Sequence, residues 1–361
     1  MEYFIYMTND CNLKCDYCSV LMDCEKNNLP MKPTYNYIEL IEFIKNTQHQ
    51  NNDEEISIYF FGGEPSLEYN DIERLINIAK KELSMYSLKF VLHTNGLLLD
   101  MLPDNILNEL SLIMFSINYE KIPHHILYPS YFSTIMDNAL SIKTQKNIPI
   151  IARLTVTEKT SIYTELLQVS HFFDYVYWQI ENCSSFANSI AFKDTYIYEI
   201  QKTFEYWIKY LEQGIMIKYI PFMAVLKFMF FHDRDSDEFS CGYSRGMVYV
   251  QTNGKCYACS DNVEGNVHHM GNIYTGITLP HHTLREFKCK NCVYKSICMG
   301  RCGRMHMEFS REHINDYCQM NQSMFKLFLK NKVQLEQIIR KYPYFKAELE
   351  HWILEYTEFT P

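Results

Sequence analysis

The chain has 361 residues, 47% of them apolar and 21% charged, with a formal net charge of −9. That length holds one large α/β domain with a smaller module, or two ordinary domains, and the composition excludes a disordered chain. The acidic balance argues against a surface built for nucleic acid or anionic lipid, which needs a surplus of Lys and Arg.

The chain opens on a strand, EYFIYMT (2–8), with neither the basic start nor the small-residue cleavage site of a signal peptide, so a cytoplasmic protein is expected. Further strands follow at 55–61, 88–94, 110–118, 148–157 and 175–181, each nearly continuous in apolar residues, as strands covered on both faces are. Helical patterns lie between them at 34–47, 70–84, 103–110, 131–145, 162–170 and 192–213, with Thr34 and Asn70 placed as N-caps. Six βα units in a row predict an α/β fold, a partial (β/α)6 TIM-like barrel. The open doubly wound alternative lacks a phosphate-binding glycine fingerprint after its first strand. The greasiest run, YIPFMAVLKFMFF (219–231), is broken by Pro221 and Lys227 and reads as core rather than a membrane span. From 241 to 318 the chain is loop-rich, with a hairpin turn at TNG (252–254), and helical periodicity returns over 319–357. The expected division is a barrel over 1–215, a bridging segment over 216–240 and a cysteine-rich domain with a helical tail over 241–361.

Thirteen cysteines are many for a reducing compartment, where clustered thiols are metal ligands more often than disulfides. Ten fall into patterns; Cys24, Cys183 and Cys256 are left as plain thiols. CNLKCDYC (11–18) follows the first strand, at the end of the barrel where active sites lie. Its three cysteines suit three irons of a 4Fe–4S cube, leaving the fourth iron open; a stray zinc site is the alternative. At the end of the second strand stands FFGGEP (60–65), whose paired glycines allow close backbone approach to a ligand.

Together these motifs resemble the radical S-adenosylmethionine (radical SAM) enzymes, whose CxxxCxxC signature is met by Cys11, Cys15 and Cys18. The resemblance implies that S-adenosylmethionine chelates the open iron and is cleaved by one electron to a 5′-deoxyadenosyl radical, which abstracts hydrogen from substrate. It implies Tyr17 beside the adenine, and Gly62, Gly63 and Glu64 at the methionyl amino group. Ser116 and Arg153 are candidates for the carboxylate and ribose, with a structural ion pair as the other reading of Arg153.

A second resemblance covers the C-terminal cysteines. Cys241, Gly254 and Cys259, then CKNCVYKSICMGRC (289–302) and Cys318, reproduce the seven-cysteine pattern of the SPASM extension. A zinc knuckle is the alternative for Cys289 to Cys302. The family implies two auxiliary 4Fe–4S clusters, three clusters in all. The distal one is held by Cys289, Cys292, Cys298 and Cys318, the proximal one by Cys241, Cys259 and Cys302. Residues 242–250 lack the further cysteine of fully ligated members, so either Cys256 substitutes or the proximal cluster has an open iron. The histidine pairs at 124–125, 268–269 and 281–282 have no helical ligand spacing and read as surface residues.

Relatives of this kind mostly modify ribosomal peptides, so the expected function is a peptide maturase installing a cross-link, a thioether first. A sulfatase-maturing enzyme is the second reading. It would place an aspartate directly after Cys259, where this chain has Ser260 and then Asp261, the candidate acid/base. An electron-transfer protein with idle clusters is the third. The expected partners are a precursor peptide and an electron donor such as flavodoxin or ferredoxin. With the first ligand at residue 11, the substrate is expected to be read directly by the cleft of the barrel and the cysteine-rich domain or through a separate leader-binding protein; no nucleic acid or membrane partner is expected.

Overall fold

The computed structural model describes residues 1–15, 18–51, 54–117, 130–181, 186–231, 237–243, 246–261, 268–283, 287–350 and 361. Tyr17, Cys183 and the 124–125 histidines lie outside the described residues. The chain begins β1 (Glu2–Thr8), α1 (Ser19–Asn27), α2 (Tyr37–Asn51), β2 (Glu55–Gly62), α3 (Tyr69–Glu82) and β3 (Ser87–Thr94). Then come α4 (Asp104–Leu107), β4 (Leu112–Ile117), α5 (Ser130–Gln145), β5 (Ile150–Val156), α6 (Ile162–Val169) and β6 (Tyr175–Ile180). Next are α7 (Ser189–Leu211), α8 (Ile220–Phe230), β7 (Met247–Val250), β8 (Lys255–Tyr257), β9 (His269–Asn272) and β10 (Gly276–Ile277). The chain closes with α9 (Lys295–Cys298), α10 (Gly303–Glu308), α11 (Arg311–Lys330), α12 (Lys332–Lys341) and α13 (Tyr344–Glu350).

Two compact units emerge, Met1–Ala152 with Ser244–His281, and Arg153–Tyr243 with His282–Pro361. In the first, β1 to β4 are parallel and adjacent in chain order, and β5 starts beside β4. All seven residues of β1 are buried, as its apolar run requires. Alternation sorts them. Phe4 stacks on Tyr59 at 4.1 Å and Tyr249 at 4.4 Å on one face, while Tyr3 meets Phe43 of α2 at 6.3 Å on the other. α3 buries Ile72, Leu75, Ile76 and Ala79, one helical stripe.

The other edge of β1 is taken by β7, also parallel, so Glu2 pairs with Met247 and Ile5 with Val250. From there the chain turns back in antiparallel steps through β8, β9 and β10, with Gly254 (φ +79°) in the turn read from TNG. Sequence reasoning did not foresee this pairing, nor α1, β9 and β10. The α2 cap is Asn36, not Thr34: its Oδ1 accepts from Ile38 N at 3.0 Å while Glu39 returns a bond to Asn36 N. Asn70 sits inside α3, and the helix expected over 103–110 shrinks to α4.

In the second unit the end of β5 runs beside β6, with Glu181 N donating to Val156 O at 2.9 Å. α8, apolar all round, is buried from Ile220 to Leu226, as read from its composition. Phe328 of α11 meets Phe204 of α7 at 4.9 Å and Phe222 of α8 at 5.5 Å, the aromatic centre of this unit. Among the described residues no helix is long and apolar enough to cross a membrane.

Candidate functional site

The cysteine loop leaves β1 on a stem fixed by the main chain. Asn9, 1% exposed, donates to Pro30 O at 2.8 Å and Thr252 Oγ1 at 3.0 Å. Gly63 N donates to Thr8 O and Glu64 N to Asp10 O, both at 2.8 Å. A Cβ on Gly62 (φ +125°) would stand 2.2 Å from Thr8 O, and one on Gly63 2.0 Å from Asp10 O. Both positions are therefore glycine because two backbones touch there, a reason the motif alone did not disclose.

Glu64 is fully buried. Its Oε1 accepts from Ser66 N (3.0 Å) and Thr94 Oγ1 (2.8 Å), its Oε2 from Asn95 N (2.8 Å). Burial raises its pKa, and those donors pull it back. The carboxylate thus ties the end of β2 to the end of β3. From there Asn95 Nδ2 reaches Asn12 Oδ1 at 2.7 Å and Cys11 Sγ at 3.9 Å.

Cys11, Cys15 and Cys18 are half-buried. Burial pushes the Cys11 thiol up to about 12, and Glu64, Cys15 and Cys18 add to it, while Leu13 N donates to its sulfur at 3.4 Å. Cys18, at the start of α1, is likewise raised by burial and countered by the N–H groups of Leu21 and Val20. Thiols crowded this way become thiolates only with a cation among them, and N–H donors already face the sulfurs. The residues fit a metal–sulfur centre.

Beside Tyr6, which feels the charge of Cys18, the sheet carries a row of contacts through Phe61, His93 and Ser116. Phe61 lies 5.1 Å from Tyr6 and 5.2 Å from His93, and His93 Nε2 is 3.0 Å from Ser116 Oγ. Sequence reasoning passed over His93; its place as the next-to-last residue of β3, in phase with Phe61, was the available signal. Asp261 accepts from Ser19 Oγ at 3.0 Å, next to Cys18, and Tyr6 OH donates to Ser260 O at 3.4 Å. Tyr6 is held protonated by burial first, then by Asp261, Asp23, Cys259 and Cys18. One unit thus gathers the first cysteines with Cys259 and Asp261, which linear spacing could not show.

In the second unit Arg153 Nη2 donates to Gln179 Oε1 at 2.5 Å and faces Tyr177 at 6.0 Å, so among the described residues its hydrogen-bond partner is a neutral amide. Here too Cys289, Cys292, Cys298 and Cys318 line a cavity of about 300 Å³ with Arg301 and His306. Burial raises Cys289 to about 11, and Cys318 and Cys292 add to it; Cys298 is raised by burial and by the other three. His306, lowered to about 4 by burial, is neutral; its Nε2 donates to Gly300 O at 2.9 Å and lies 3.6 Å from Cys289 Sγ. Four thiols around one cavity fit a fully ligated cluster. Cys241 and Cys302 are neighbours in this unit, Gly303 N donating to Cys241 Sγ at 3.4 Å; Cys259 belongs to the other unit. Among the described residues no three His, Cys, Asp or Glu are arranged to hold a single metal ion.

Residues 5–125 match the radical SAM superfamily. With the cysteine-rich segment that follows and the relatives below, this match supports a radical SAM enzyme of the SPASM type, and the superfamily is one built on a 4Fe–4S cluster and S-adenosylmethionine. The radical SAM cyclopropyl synthase TigE of Paramaledivibacter caminithermalis is 22% identical over 94% of this chain and 75% of its own length. An uncharacterised protein of Methanocaldococcus jannaschii is 30% identical over 44% of this chain, which spans about half of that relative (54%). Among solved structures, anSMEcpe with bound AdoMet and Cp18Cys peptide shares the fold, with TM-score 0.71 and 19% identity over 94% of this chain and 99% of that one. A histidine-tagged form of anSMEcpe with bound AdoMet gives TM-score 0.72 and 20% identity over 97% and 98%.

Proposed function

We propose that this protein is a peptide maturase, taking a hydrogen atom from a ribosomally made peptide so that a new cross-link closes. The observation that carries the reading is the loop of Cys11, Cys15 and Cys18 on its stem of Gly62, Gly63 and Glu64, in a chain with the radical SAM match. When bound, the cluster on those cysteines and S-adenosylmethionine supply a 5′-deoxyadenosyl radical. The chain's own groups bind and orient: Gly62, Gly63 and Glu64 at the methionyl amino group, Ser116 (braced by His93) and Arg153 at the carboxylate and ribose, Tyr17 at the adenine. Asp261, beside Ser19, holds or moves a proton. Cys289, Cys292, Cys298 and Cys318 take a distal auxiliary cluster, and Cys241, Cys259 and Cys302 a proximal one. Residues 1–215 form the radical SAM core, 216–240 the bridge and 241–361 the SPASM segment, working in the cytoplasm with a flavodoxin or ferredoxin, the peptide being read directly or through a separate leader-binding protein.

The product favoured is a thioether. Cys256 is fully buried in β8, its sulfur 3.8 Å from Gly254 O, and burial alone raises its thiol. That supports leaving Cys256 outside the proximal set, with a position there for a substrate thiolate, since soft sulfur suits iron–sulfur iron. TigE, a cyclopropyl synthase by name, supports a carbon–carbon ring as the second reading. Mass spectrometry of the modified precursor decides. A thioether removes two hydrogens and one alkylatable cysteine; loss of two hydrogens with every cysteine still alkylatable excludes the thioether and leaves a carbon–carbon or carbon–oxygen link, which fragmentation of the cross-linked peptide then separates. Cys256→Ala is expected to keep cluster spectra and activity, and loss of proximal-cluster signals in that variant would return Cys256 to the ligand set.

A further inference from the structure

Residues 287–307 contain five Lys or Arg and no Asp or Glu, in a chain of net charge −9. Part of that charge is already matched: Lys295 pairs with Asp237 at 2.6 Å and Arg304 with Glu308 at 2.8 Å. Lys288 and Lys290, flanking Cys289, are exposed. Lys288 lines the four-cysteine cavity and its amine donates to the neutral amide of Asn315, while Lys290 has no carboxylate partner among the described residues. Between Cys292 and Tyr294 stands Val293, 87% exposed, and Cys292 and Cys318 are themselves half-exposed.

We propose that Lys288, Lys290 and Val293 form the docking face for an acidic one-electron carrier protein, at the rim of the cavity of Cys289, Cys292, Cys298 and Cys318. The proposal rests on reading those cysteines as the distal ligand set. Charge complementarity selects the occupant. An acidic carrier is repelled by the acidic body and attracted to this patch, so the field steers its approach. The exposed valine adds an apolar contact three residues from Lys290, as transient interfaces mix apolar and charged contacts. A carrier must also bring its redox group close to the acceptor, and here two candidate ligands reach the surface. Docking makes and breaks no covalent bond. The transfer it serves is one electron, lost by the reduced carrier and gained by the group on the four cysteines.

The test titrates anaerobically reconstituted full-length protein with a flavodoxin of net negative charge, by calorimetry, at low and high salt. Saturable binding weakened by salt is expected. Lys288→Glu with Lys290→Glu should weaken it about tenfold at low salt, and the difference should shrink as salt rises, with iron content unchanged. The pair Lys288→Gln and Lys290→Gln should act in the same direction and less, and Val293→Ser should weaken binding at both salt levels. Unchanged carrier affinity in the charge-reversed protein, or a loss confined to binding of an acidic peptide, overturns the proposal. The ligand reading has its own readout. If Cys289→Ala with Cys298→Ala keeps full iron while the lysine variants still lose the carrier, the distal assignment falls and the docking face stands.

Discussion

The loop of Cys11, Cys15 and Cys18 and the cavity of Cys289, Cys292, Cys298 and Cys318 both crowd thiols away from water, and they are supported differently. The first is a half-buried loop on a stem locked by backbone contacts at Gly62 and Gly63 and by Glu64. The second has little stem. Its cysteines come from the 3-10 turn Lys288–Asn291 and the residue that follows it, from α9 and from α11, and its walls include Tyr317 and Phe325, both buried in their unit. A stem holds three ligands in place while the tip stays accessible, which suits a centre that must take a further ligand. A cavity walled by core residues suits a centre closed by its own chain.

That contrast breaks or sharpens under substitution. Replacing Cys11, Cys15 and Cys18 by Ala should abolish S-adenosylmethionine cleavage and remove about a third of an expected iron content of about twelve per chain. Because the stem does not depend on the thiols, the melting temperature of the protein isolated without iron should hold. A large fall would mean that the loop is part of the core. Replacing Cys289 and Cys298 by Ala should remove a similar share of iron, lower the melting temperature, and leave cleavage by chemically reduced enzyme within a few-fold of its starting rate. Loss of all cleavage would show that the two sites are not separable. The smallest effect is on stability alone: Gly63→Ala forces a Cβ against Asp10 O and should cost about 2 kcal/mol in denaturant unfolding. A neutral result would mean that the stem yields.

The strands β1 to β6 were legible because doubly covered strands are apolar along their whole length; β1, β2 and β3 match their expected spans to within a residue. Cysteine spacing exposed the candidate ligands. What stayed hidden depends on partners far away in sequence. TNG announced a hairpin, but only the folded chain supplies β1 as the strand it joins. GGEP announced a turn, but not that Thr8 and Asp10 press on it. Asp261 looked one step out of place, yet its carboxylate meets Ser19 beside Cys18. Asn36 outcompeted Thr34 as the cap because Glu39 stands three residues on to complete the box.

The pairing of β1 with β7 has a consequence for how the chain is made. Glu2 leaves the ribosome well before Met247, its partner, because 244 residues separate the two in the chain. Until then the nascent polypeptide carries β1 with one open hydrogen-bonding edge, and Asn9 waits for Thr252. Such long-range closure slows folding and leaves an edge open to pairing with other chains. A protein shortened to its first 215 residues would keep β1 to β6 and remain in that unfinished state.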